Sequence, residues 1–70
     1  MGELLTVEEL RTRLRVSRAW VYKAVAENRI PHVRLGGPDG PVRFMVEDID
    51  AWVREAREAW PASPAQATKT

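Results

Sequence analysis

The tightest constraint on this fold is the segment Leu14-Arg15-Val16-Ser17, because a helical pattern runs up to it and another runs away from it. Upstream, Thr6-Val7-Glu8-Glu9 has the form of a capping box, in which Thr6 serves the Glu9 N–H and the Glu9 side chain reaches back. Glu8 and Glu9 also suit the positive end of a helix dipole. Val7, Leu10 and Leu14 form one apolar edge, so a first helix is predicted to about Leu14, with Leu5 adding a contact across its first turn. Downstream, Ser17 can cap a second helix, since its hydroxyl accepts an otherwise unpaired backbone N–H. Val21, Ala24 and Val25 then recur at helical spacing, and the helix is expected to end near Asn28, which tolerates a left-handed conformation. Only a tight turn fits between the two. Helix, short turn and capped second helix make the helix-turn-helix pattern, although an ordinary helical hairpin carries a similar signature.

Ile30-Pro31 closes this helical region, because proline disfavours helical geometry in the residue before it. His32-Val33-Arg34-Leu35 and Val42-Arg43-Phe44 alternate with period two around Gly36-Gly37-Pro38-Asp39-Gly40-Pro41, which is dense in turn formers. The pattern predicts a hairpin wing with Val33, Leu35, Val42 and Phe44 facing the core and His32, Arg34 and Arg43 facing out. If Leu35 pairs with Val42, Arg34 lies opposite Arg43, a mildly unfavourable pair that a phosphate backbone would relieve; an offset register leaves both arginines merely solvated. From about Glu47, Ile49, Trp52, Val53, Ala56 and Trp60 form one apolar stripe, so both tryptophans are expected in the core. Pro61 stops that helix. The predicted fold is α+β and mostly helical: a winged helix-turn-helix over residues 1–60, followed by a disordered tail over 61–70.

The net charge of +1 conceals a segregation along the chain. Residues 11–43 carry eight arginines and lysines against Glu27 and Asp39, a net +6, while both flanks are acidic. A basic middle is the footprint of a polyanion binder. With no cysteine and a single histidine, His32, the chain has no disulfide and lacks the usual zinc ligands. No apolar run would span a bilayer and no signal-peptide profile opens the chain, so a cytoplasmic, nucleoid-associated protein is expected.

No catalytic constellation stands out. Glu47, Asp48 and Asp50 cluster at a helix start, where the dipole accounts for them. Ser17 has no accompanying histidine-based triad, and Gly36-Gly37 precedes a turn rather than a helix. No enzyme activity, cofactor or metal is expected. The second helix instead presents Arg18, Ala19, Tyr22 and Lys23 away from its apolar side. Arg18 can read guanine through two parallel hydrogen bonds, Ala19 can meet a thymine methyl, Lys23 can reach a base or phosphate, and Tyr22 suits a phosphate. The alternative is a basic helix face that is simply solvated. Trp20 falls on the flank, where packing against the wing and contacting DNA both stay open.

Taken together, Leu5-Thr6-Val7-Glu8-Glu9-Leu10, Val16-Ser17 with Val21-Tyr22-Lys23, Ile30-Pro31 with Val33-Arg34-Leu35-Gly36, and Asp48-Ile49 with Ala51-Trp52-Val53 resemble the MerR-like winged helix-turn-helix domains of the excisionase family. The resemblance implies a second helix in the major groove, with Ser17, Arg18, Ala19, Trp20, Tyr22 and Lys23 in the recognition region, and a wing carrying His32, Arg34 and Arg43 to the backbone or minor groove. It further implies a recombination directionality factor that binds repeated double-stranded DNA sites, bends them and assists a tyrosine or serine integrase in excision. Such a protein would be a monomer that assembles cooperatively on DNA. Relatives with this domain are small transcriptional regulators, the second expectation; a protein-interaction module or a DNA-packaging recognition domain follows behind. Arg15 stands where family members often have glycine, Trp20 where a small polar residue is usual, and the wing tip is longer than in the shortest members.

Overall fold

The computed structural model describes residues 2–60, so the tail expected over 61–70 lies outside the described residues. Its elements run β1 (Leu4–Leu5), α1 (Val7–Leu14), α2 (Arg18–Ala26), β2 (Val33–Arg34), β3 (Val42–Met45) and α3 (Val46–Ala59). The three strands form an antiparallel sheet in the order β1-β3-β2.

Each helix of the N-terminal pair begins as its cap residue dictates. The Thr6 hydroxyl accepts the Glu9 N–H at 3.1 Å while the Glu9 carboxylate accepts the Thr6 N–H at 2.9 Å, so the capping box is complete. Ser17 starts α2 by accepting the Trp20 N–H at 3.0 Å. Arg15 makes the turn between them in the left-handed region, with φ 60° and ψ 47°. Its N–H and that of Val16 both donate to the Arg11 carbonyl oxygen. The end of α2 is a Schellman motif: Asn28 takes φ 56°, its N–H reaches Val25, and the Arg29 N–H reaches Ala24. Helix α2 stops at Ala26, two residues before Asn28, because the last two residues belong to this motif.

One core lies between these elements: Leu5, Leu10, Val21, Ala24, Val25, Ile30, Phe44 and Ile49 are buried. Phe44 on the central strand is fully enclosed, together with Leu10, Val21 and Ile49. Burying side chains of this size contributes about 1.5–3 kcal/mol each, which is how so short a chain offsets its ordering entropy.

Four expectations are corrected. First, the sheet has three strands rather than two. Leu4 pairs with Met45 and Leu5 with Phe44, so Leu5 is also a buried strand residue. Second, the wing register is offset by one: Val33 lies opposite Arg43 and Arg34 opposite Val42. The two arginines therefore do not face each other. Third, Leu35 is 42% exposed rather than core. It already belongs to the connection, its N–H held by the Pro41 carbonyl just before Gly36 and Gly37 adopt positive φ. Fourth, Trp60 is 81% exposed. Only the first half of α3 packs on the core: Ile49 is buried and Trp52 lies against it, whereas Val53, Ala56 and Trp60 are exposed.

Candidate nucleic-acid interface

The turn at Arg15 and the Ser17 cap direct the first turn of α2 toward the wing. There α1, α2 and the wing enclose a groove of about 490 Å³. Thr6, Val7 and Glu8 line it from the start of α1, and Arg18 and Tyr22 from the front of α2. Arg34, Gly40, Pro41, Val42 and Arg43 line it from the wing. Arg18, Arg34, Arg43 and Tyr22 thus border one concavity together with a single acidic residue, Glu8. Such a surface attracts anions, and its planar forks suit phosphate oxygens or the acceptor edge of guanine.

Backbone contacts hold the two wing arginines. Arg34 Nη1 donates to the Gly40 carbonyl at 3.4 Å and Arg43 Nη1 to the Val42 carbonyl at 2.7 Å. Gly40 can sit so close to Leu35 across the wing connection only because it lacks a Cβ, which would overlap the Leu35 carbonyl oxygen. On the helix side, Arg18 forms an ion pair with Glu8, whose other oxygen lies 3.3 Å from Arg11 Nη1. All three side chains remain accessible to solvent at least in part.

The structure thus brings together Arg18, Tyr22, Arg34 and Arg43 from the expected set. Ala19 and Lys23 are exposed on α2 but do not line the groove, and Ser17 is occupied with its cap. His32 is half-buried, its Nδ1 2.9 Å from the Ile30 carbonyl oxygen, and also lies outside the lining. Trp20 packs against the core with the Arg29 guanidinium 5.8 Å from its ring centroid. Glu8 is the groove residue that sequence reasoning assigned only to the helix dipole. Its ion pair crosses from α1 to α2, so no periodicity within either helix announces it.

Glu47 and Asp48 lie in the first turn of α3 as the dipole argument requires, whereas Asp50 lies past it and sits 3.7 Å from Arg13 of α1. Among the described residues no cluster of histidine, aspartate and glutamate could hold a metal ion. None of the described helices is long and apolar enough to cross a membrane.

Two capped helices joined by a left-handed turn, with a sheet hairpin beside the second, define a winged helix-turn-helix domain. The profile of the helix-turn-helix domain family matches residues 4–57. The chain belongs to that family, which comprises DNA-binding domains and is typically non-enzymatic. Comparison with curated proteins and with solved structures gives no match.

Proposed function

We propose that this protein is a sequence-specific reader of double-stranded DNA, acting as an excisionase-type accessory factor in recombination. The observation that carries the DNA-reading part is the convergence of Arg18 and Tyr22 of α2 with Arg34 and Arg43 of the wing on one groove. In this reading α2 enters the major groove, Arg18 takes the O6 and N7 acceptors of a guanine, and Tyr22 donates to a phosphate. Ala19 and Lys23, exposed on the same helix, complete the contact, while Arg34 and Arg43 neutralise the backbone beside it. Trp20 supports α2 from behind rather than touching bases, in keeping with its packing on the core. His32, outside the groove lining, takes at most a peripheral place in the wing.

The excisionase role is supported by the sequence resemblance and by the occurrence of this domain family in excisionase-like proteins. One small module covers about 600–1,000 Å², which limits specificity, so the protein binds as a monomer and gains selectivity by assembling on repeated sites. Its natural partner on DNA is then a tyrosine or serine integrase, and its working place is the nucleoid.

Binding of labelled duplexes, followed by anisotropy across a salt series, tests the DNA-reading part. Affinity should fall steeply with salt, since phosphate-bound arginines and lysines release counterions. Weak, salt-insensitive binding to every duplex would refute it. The finer role is tested by adding the protein to an integrase reaction on attachment-site DNA: stimulated excision is expected, whereas promoter binding with no effect on excision assigns the regulator role instead.

A further inference from the structure

Glu8 places a negative charge in a groove whose other charged residues are arginines, and it does so at the residue proposed to read a base. We infer that Glu8 is a positioning residue that sets the sequence selectivity of Arg18, an inference that rests on the DNA-reading proposal above. Three observations carry it. Glu8 Oε2 pairs with Arg18 Nη2 while Glu8 Oε1 is held by Arg11 Nη1 at 3.3 Å, so the carboxylate is itself anchored within α1. Glu8 and Arg18 line the same groove as the wing arginines. The pair is half exposed, and exposed ion pairs contribute little to folding stability; the dipole of α1 favours an acid at Glu8 but does not account for its pairing with Arg18 across the two helices.

The geometry has two consequences for a duplex. An unrestrained arginine at the first position of a helix samples many rotamers and meets phosphates and bases alike. Held by Glu8 through one terminal nitrogen, the guanidinium has its plane restricted before contact and keeps its remaining donors for a paired acceptor such as guanine. The carboxylate also repels every phosphate that approaches the groove. That repulsion weakens binding to all sequences, and only a base that engages the oriented Arg18 offsets it. Selectivity is a difference between these two affinities, and Glu8 acts on both.

The test begins with selection of a preferred duplex from a random-sequence pool by the intact protein. Affinities for the selected duplex and for a scrambled one are then compared in wild type and Glu8→Gln at one salt concentration. The variant should bind scrambled DNA about three-fold more tightly or better, gain less or lose affinity on the selected duplex, and so lower the ratio about five- to ten-fold. Its melting temperature should fall only slightly, by the loss of the dipole contribution of one first-turn acid. In an Arg18→Ala background the same substitution should shift both duplexes by equal factors, because the group through which Glu8 acts is gone. An unchanged ratio in Glu8→Gln, or a ratio that still falls without Arg18, overturns the inference while leaving DNA reading intact. If the intact protein selects no sequence at all, the DNA-reading proposal fails and takes this inference with it.

Discussion

The indole N–H of Trp52 donates to the carbonyl oxygen of Arg29 at 3.2 Å, tying α3 to the segment that ends α2. Arg29 is engaged at four points, one of them the donation of its Nε to the Glu27 carboxylate at 2.7 Å. Its N–H closes the Schellman motif on Ala24, its carbonyl receives Trp52, and its guanidinium lies over Trp20 of α2. The direction in which α3 leaves the domain is therefore set against the same helix that carries Arg18 and Tyr22. Replacing Trp52 by phenylalanine keeps most of the apolar ring and removes the donor. Urea denaturation should show a loss of about 0.5–1.5 kcal/mol, the usual net contribution of one hydrogen bond. No loss of stability would mean that this bond does not hold α3.

Trp60 gives the contrast. It occupies the same apolar stripe as Trp52, yet it is exposed. Trp60→Ala should change stability by no more than about 0.5 kcal/mol, whereas Trp52→Ala, which empties a packed site, should cost about 3 kcal/mol or more. Equal costs for the two would contradict this division of the helix. Intrinsic fluorescence offers a second readout, because the Trp60 component should stay red-shifted and readily quenched by iodide in the folded protein.

This pair also marks what can be read from residues alone. Capping boxes, helix stops and apolar spacing are local, so Thr6, Ser17 and Asn28 announce the helices correctly. A stripe shows which face of a helix is apolar, but not how much of that face the core covers, and that coverage decides Trp60. Strand β1 carries no signal of its own, because two residues are too few to show alternation and Leu4–Leu5 is held extended by pairing with Met45 and Phe44 on the central strand. The wing register is equally hidden, because a glycine-rich connection permits more than one pairing. At the groove, the arginines are legible from charge and exposure, while the Glu8–Arg18 pair depends on how two helices meet.

Arg15 carries the turn at φ 60°, a conformation that costs a residue with a Cβ about 1–2 kcal/mol relative to right-handed geometry. Glycine adopts it freely but loses more entropy on folding, which returns part of the gain. Arg15→Gly should therefore raise stability by about 0.5–1 kcal/mol, measured as an increased urea midpoint with unchanged slope. A destabilised variant would show that the Arg15 side chain makes a contribution larger than its backbone strain.

Gly40 poses the opposite case. A Cβ there would run into the Leu35 carbonyl, and that obstacle is backbone rather than a movable side-chain end. Gly40→Ala must shift the Leu35–Pro41 connection, and with it the carbonyl that holds Arg34. Amide chemical shifts should change across residues 34–42 while those of α1 remain near wild type, with a stability loss of about 1 kcal/mol or more. Shifts spread evenly through the domain would argue that the wing is not an independent local unit.

Arg18 and Arg34 line one groove but differ in what they should do there, and their substitution separates base reading from backbone attraction. Arg18 stands at the start of α2, oriented by Glu8; Arg34 stands on the wing, held to the Gly40 carbonyl. Arg18→Ala should cost about 1–3 kcal/mol on the selected duplex, with relaxed preference at one base position and a smaller effect on scrambled DNA. Arg34→Ala should weaken both duplexes by similar factors and reduce the slope of log affinity against log salt by about 1, as one phosphate contact is lost. Anisotropy titrations at four or five salt concentrations measure both quantities together. The assignments would be reversed if Arg34→Ala altered base preference and Arg18→Ala changed only the salt slope, which would place the reading element on the wing instead of α2.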